Sequence, residues 1–79
     1  MLEELKTTEK VVGVRQIRKA FANGRVKKVF LARDADPTLT EPLARECEAA
    51  AVSFDYVPTM KQLGAACEIS VPAAAAAIV

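Results

Sequence analysis

The chain has no histidine and no tryptophan, and its few aromatic residues make up 5% of the total. Without histidine, Ser-His-Asp and Cys-His nucleophilic chemistry, an imidazole general base and the commonest zinc ligand all drop out. The two cysteines, Cys47 and Cys67, form no Cys-x-x-Cys pattern. They support neither a zinc site nor a thioredoxin-like motif and read as buried thiols in a reducing cytosol. Long hydrophobic runs are missing too. The longest, Ala73 to Val79, has seven residues, where a membrane span needs about 20. The start, Met1 to Lys10, is acidic and amphipathic, with no pattern of a secretory signal. The expectation is a cytoplasmic protein with no membrane partner.

What is present is apolar and small. Hydrophobic residues are 52% of the 79 and include 15 alanines, which suits close packing of helices on a sheet and argues against disorder. A chain of this length makes one small domain, residues 1–79, with no room for a second when domains commonly need about 100–150 residues.

The net charge of +1 conceals a segregation along the chain. Lys10, Arg15, Arg18, Lys19, Arg25, Lys27, Lys28 and Arg33 follow one another with no acid among them, whereas Asp34 to Asp55 carries six acids and one base, Arg45. A localised basic region on a nearly neutral protein is the footprint of a polyanion site. From the charges alone, a solvated face explains it equally well.

Periodicity then orders the elements. Val14, Ile17 and Phe21 form a helical stripe that stops at Asn23-Gly24. Val26 to Ala32 reads as a buried strand. Thr38 to Ala51 has helical spacing, with Thr40 as N-cap and Glu41-Pro42 in the first turn. Val52 to Val57 alternates as a strand, and Thr59-Met60-Lys61-Gln62 has the form of a capping box opening a short helix to Ala66. The Ala73 to Val79 run fits a central strand covered on both faces, although its alanines leave a helix open. With an amphipathic first segment, this succession predicts an α/β domain with helices on both sides of a sheet.

On the helix after Gly13, Arg15, Arg18 and Lys19 stand at i, i+3 and i+4, in one row beside the buried stripe. Gly13 permits close backbone approach, and the first helical amides favour an anion. These residues, Gly13-Val14-Arg15-Gln16-Ile17-Arg18-Lys19-Ala20, are followed by Ala32-Arg33-Asp34-Ala35-Asp36-Pro37, by Leu63-Gly64-Ala65-Ala66-Cys67 and by Ile69-Ser70-Val71-Pro72. In that order and spacing they resemble the successive motifs of the ribosomal L-seven-Ae / L-thirty-e kink-turn RNA-binding family, and most of all its small bacterial members. The likeness covers essentially the whole chain.

The resemblance implies a three-layer α/β/α sandwich, with a small, mostly central sheet flanked by helices. It also implies recognition of a kink-turn, an RNA internal loop with tandem sheared G·A pairs and a sharp bend, and it implies no reaction, cofactor or metal. By the same resemblance, the RNA site comprises Gly13, Val14, Arg15, Gln16, Arg18, Lys19, Arg33, Asp36, Ile69, Ser70 and Val71. Arg15 stands where many members have asparagine, Gln16 where many have glutamate, Arg18 replaces a common threonine, and Lys19 takes the place of a guanine-contacting lysine. These groups have the hydrogen-bond sense needed for guanine edges. The implied partner is structured RNA, in ribosomal RNA or a leader RNA, bound by a monomer that is part of a ribonucleoprotein such as the ribosome.

Other readings stand beside this one. By spacing alone, Ile69 and Val71 are core residues entering the last strand more readily than they are a binding loop. Asp34-Ala35-Asp36 has the form of a magnesium ligand pair, but a loop turning at Pro37 accounts for it without metal. A protein-interaction module of the same fold, using residues 69–71, is the main alternative function. An enzyme at Asp34 and Asp36 ranks well behind, with no Gly-rich phosphate loop to support it.

Overall fold

The computed structural model describes residues 9–79. The acidic amphipathic segment Met1 to Lys10 therefore lies almost wholly outside the described residues. Within them the order is β1 (Lys10–Val12), α1 (Val14–Ala22), β2 (Lys28–Ala32), α2 (Pro37–Ala49), β3 (Ser53–Val57), α3 (Met60–Ala66) and β4 (Ala75–Ile78). The four strands form one sheet in the order β1-β4-β2-β3. β4 runs antiparallel to both β1 and β2, while β2 and β3 are parallel.

The alanine run is thus a strand, and a central one. Ala75, Ala76 and Ala77 are fully buried, and alternation sends them to opposite faces. Ala75 and Ala77 join Ile17, Val29, Leu31, Leu43 and Cys47 in a core under α1 and α2. Ala76 and Ile78 join Phe30, Val57, Leu63 and Ala66 in a second core under α3. The result is the expected α/β/α sandwich. Each large apolar side chain buried there contributes about 1.5–3 kcal/mol, and the small strand residues let the helices approach closely.

The helix ends explain where the observed bounds differ from those read in the sequence. Asp36, not Thr40, caps α2. Its Oδ1 accepts the Thr38 amide at 2.9 Å and Pro37 takes the first helical position, where a missing N–H costs nothing. Thr40 is buried inside the helix, and Pro42 lies beyond the first turn as an internal proline. Thr59 caps α3 as expected, accepting the Gln62 amide at 3.0 Å.

All three helices finish in the same way. The amide five residues on returns to the helix, from Arg25 to the Ala20 carbonyl, from Val52 to Cys47 and from Ile69 to Gly64. Before each stands a residue with positive φ, respectively Gly24, Ala51 and Glu68. This is the Schellman arrangement. It consumes Val52, so β3 starts one residue later than the apolar run Val52–Val57 suggests, and β2 starts at Lys28, two residues into the run Val26–Ala32.

Candidate nucleic-acid interface

The strand directions bring the ends of four segments to one edge of the sheet. β1, β2 and β3 finish there and β4 begins there. Short hydrogen bonds tie the segments together. The Gly13 amide donates to the Ala75 carbonyl at 2.9 Å, Ala32 to Ala74 at 2.9 Å, Arg33 to Val57 at 2.8 Å and Ala73 to Met60 at 3.0 Å. Asp34 adds a side-chain link, its Oδ1 accepting the Met60 amide at 2.7 Å across the sheet end. Both carboxylates of the Asp34-Ala35-Asp36 segment therefore cap helices, Asp34 at α3 and Asp36 at α2.

The N-termini of α1, α2 and α3 all open at this edge. Those of α2 and α3 receive a side-chain oxygen from their own N-cap. At α1 the N-cap is Gly13, with φ 98° and ψ 145°, a conformation that L side chains rarely adopt. With no side chain at that position, the first amides of α1 face outward beside exposed basic groups.

Helix α1 holds its core contact with Ile17 and Ala20, fully or nearly fully buried, while Arg15, Gln16, Arg18 and Lys19 are exposed. Val14 is half-buried and packs on the core under α1 and α2. The exposed face has two flanks. Arg15 and Arg18, with Val14, border a cleft of about 460 Å³ whose other wall is Thr38 and Leu39 of α2. Gln16 and Lys19 border a smaller groove of about 220 Å³ with Val11, Asn23 and Arg25. The basic row of the sequence is thus a ridge with a depression on either side.

The loop before β4 lies at the same edge. Ile69 is half-buried against the α3-side core, so for this residue the core reading holds. Val71 is 60% exposed, so for this one it does not, and Ser70 between them is exposed. With Pro72 and Lys61 they line an apolar depression of about 390 Å³. What presses this loop onto α3 is Gly64, where a Cβ would collide with the Val71 carbonyl oxygen and stand 3.2 Å from Pro72 Cα. An isolated glycine within a helical pattern carries that message in principle. The partnership of Asp34 with Met60, 26 positions away, leaves no local trace in the sequence.

Arg33 lies on the far side of this edge, whereas Asp36 stands at the α2 cap bonded to Thr38, which shares a cleft with Arg15 and Arg18. β1 and β2 are two strand spacings apart, about 10 Å, and the Arg33 guanidinium sits over the Tyr56 ring, 5.0 Å from its centroid. The Asp36 carboxyl is held below the ordinary carboxylate range by the Thr38 amide and hydroxyl. The cysteines are buried elsewhere. Desolvation, reinforced by Glu46 and Glu48, pushes the Cys47 thiol up to about 11, and burial also raises that of Cys67. Both are neutral thiols near pH 7.

Comparison with known proteins gives consistent results. Residues 2–79 match the family described as Ribosomal protein L7Ae/L30e/S12e/Gadd45 family. An RNA-binding protein of Caldanaerobacter subterraneus is 39% identical over 69 residues, 87% of this chain and 84% of that one. RNA-binding protein YbxF of Geobacillus stearothermophilus is 40% identical over 68 residues, 86% and 83% of the two chains. Among solved structures, the Giardia lamblia 15.5kD RNA binding protein superposes with a TM-score of 0.87 at 29% identity, over 98% of this chain and 68% of that one.

Proposed function

The chain belongs to the Ribosomal protein L7Ae/L30e/S12e/Gadd45 family, and from that premise we propose that it is a non-catalytic, single-domain RNA-binding protein that captures kink-turn RNA. It works as a cytoplasmic monomer within a ribonucleoprotein such as the ribosome. The observation that carries this reading is the uncapped start of α1, where Gly13 leaves the first amides open beside exposed Arg15, Gln16 and Lys19, at the same sheet edge as the exposed Ser70-Val71 loop. Two RNA-facing segments on one rigid edge suit a distorted RNA. A regular A-form major groove is too narrow to admit side chains, whereas an internal loop with sheared pairs opens it.

The mechanism is a population shift. Free kink-turn RNA exchanges between extended and bent forms, and a protein that binds only the bent form moves the balance by its differential affinity. Arg15, Gln16 and Lys19 offer donors and an acceptor to guanine edges, while Val71, with Ile69 beneath it, offers apolar surface to splayed nucleotides. Arg18 and Arg33 add phosphate contacts, Ser70 adds a hydroxyl, and Asp36, with one oxygen engaged at the α2 cap, offers the other to an RNA donor. Val14 shapes the apolar base of the first turn.

The test is a titration with a kink-turn RNA and with a control whose sheared G·A pairs are replaced by Watson–Crick pairs, at several salt concentrations. Preferential binding of the kink-turn supports the reading. Equal, weak and steeply salt-dependent binding of both reduces the ridge to a nonspecific patch.

A further inference from the structure

The groove on the Gln16 flank of α1 extends well past the residues assigned to the kink itself. It is walled by Val11 of β1 and runs from Gln16 and Lys19 through Asn23 to Arg25 at the end of the helix. The seven steps from Gln16 to Asn23 span about 10 Å of helix. That is the length over which one strand of a duplex presents about three phosphates, at roughly 3.4 Å each. Except for Val11 and Ala20, every side chain lining the groove is polar or cationic. Lys27 is exposed just beyond Arg25, and its amide bonds to Ile78 at that end of the sheet. An acid does reach this region, but weakly: Glu9 lies 3.9 Å from Arg25, with both side chains more than half exposed. Such a pair is worth little and yields readily to a phosphate.

We infer that this groove is a track for the backbone of one duplex stem flanking the bend, with Asn23, Arg25 and, just beyond them, Lys27 meeting successive phosphates as the stem runs down α1 away from the guanine-facing Lys19. The track rests on the RNA-binding reading and adds to it a requirement that the kink alone does not impose, a minimum length of one stem. The direction of α1 sets which stem it is, because Gln16 and Lys19 lie at the bend end and Arg25 at the distal end. The opposite flank is built differently, since the Arg15–Arg18 cleft closes against Thr38 and Leu39 of α2.

The experiment uses the full chain and three kink-turn RNAs, one with both stems trimmed to the minimum that holds the G·A pairs and two with one or the other stem extended by half a turn. Binding is measured across a fourfold range of salt. Extending one stem, and only that one, is expected to raise affinity at low salt and to steepen the salt dependence. Every further phosphate that the protein neutralises adds about a threefold loss of affinity over that range, from a slope of about 0.9 per phosphate. Arg25→Ala, at an exposed position outside the core, is expected to bind the trimmed RNA as the parent does and to lose part of the improvement on extension. Lys27→Ala serves as a second variant at the same end. No dependence on stem length, or an Arg25→Ala protein that keeps the whole improvement, overturns the track. A parent that does not prefer kink-turn RNA over its Watson–Crick control overturns the functional reading instead, so the two failures are separable.

Discussion

Replacing Gly64 with alanine tests how the loop before β4 is positioned. The added Cβ meets only backbone, the Val71 carbonyl oxygen and Pro72 Cα, so no flexible side chain can swing away to relieve it. Forcing such a shift in a packed region costs about 1–3 kcal/mol. Alanine recovers about 0.5–1 kcal/mol over glycine in a helix. The balance is a loss centred on about 1 kcal/mol and reaching about 2.5 kcal/mol, which in a domain of 60–100 residues lowers Tm by roughly 4–8 °C for each kcal/mol. Urea and thermal unfolding measure that loss. Titration with kink-turn RNA measures a second one, because the loop carrying Ser70 and Val71 must lift from α3. Gln62→Gly is the control: it weakens the same helix at an exposed position that does not line the depression under the loop, so it loses stability and keeps affinity. A Gly64→Ala protein more stable than its parent would refute the close approach. One that is destabilised but binds RNA undiminished would remove the loop from the interface.

Four further expectations follow from particular contacts. Ala51→Gly and Glu68→Gly each relieve a left-handed residue at a helix end, and each is expected to stabilise by about 0.5–1 kcal/mol once the flexibility of glycine is deducted; a lower urea midpoint for both contradicts the Schellman assignment. Lys19→Ala is expected to weaken kink-turn binding by about 1–3 kcal/mol, the worth of a guanine-edge contact, and an unchanged affinity for kink-turn and control alike sinks that role. Because Asp36 has a lowered pKa in the folded chain, its contribution is present above the ordinary carboxylate value and fades as pH falls through the folded one; Asp36→Asn should flatten the acid limb of the stability profile, and an unaltered limb counts against the cap. Cys47 works with the opposite sign: the folded thiol holds its proton up to about 11 while the unfolded one releases it near 9, so stability should decline from about pH 9 upward, and less so in Cys47→Ala if that variant folds.

The parts of this fold legible in the sequence are those decided locally. Gly13 and Asn23-Gly24 bracket α1 because each glycine occupies a positive φ, and Thr59 announces α3 because its cap partner is three residues away. The seven apolar residues of Ala73–Val79 suggest a strand covered on both faces, and the mixed sheet places β4 between two neighbours. The start of α2 is ambiguous in the sequence because Asp36-Pro37 and Thr40-x-Pro42 both satisfy local capping rules, and only burial of Thr40 decides between them. At the interface, the basic ridge is readable from helical spacing, but its division into two flanks depends on what packs beside α1. The split between Ile69 and Val71, one half-buried and one exposed, depends on Gly64 and on the reach of α3. Likewise, placing Arg33 over Tyr56 requires that β2 and β3 be parallel neighbours.

The central position of β4 has a consequence for the order in which this molecule acquires its shape. β1 is the first described strand and β4 the last, yet Lys10 pairs with Ile78 and β1 reaches β2 only through β4. During synthesis β1 and α1 emerge early and wait, because the strand that joins them to the remainder has not yet been made. The Ser70-Val71 loop runs directly into that same strand, and Gly13 is held by its first residue, Ala75. Both segments of the proposed RNA site are therefore fastened by the last described strand to arrive, as non-local pairings pay their closure entropy late in folding. A partial chain exposes basic groups but cannot present them on a fixed edge. Capture of a bent RNA would then act as a checkpoint that only the completed sheet can pass.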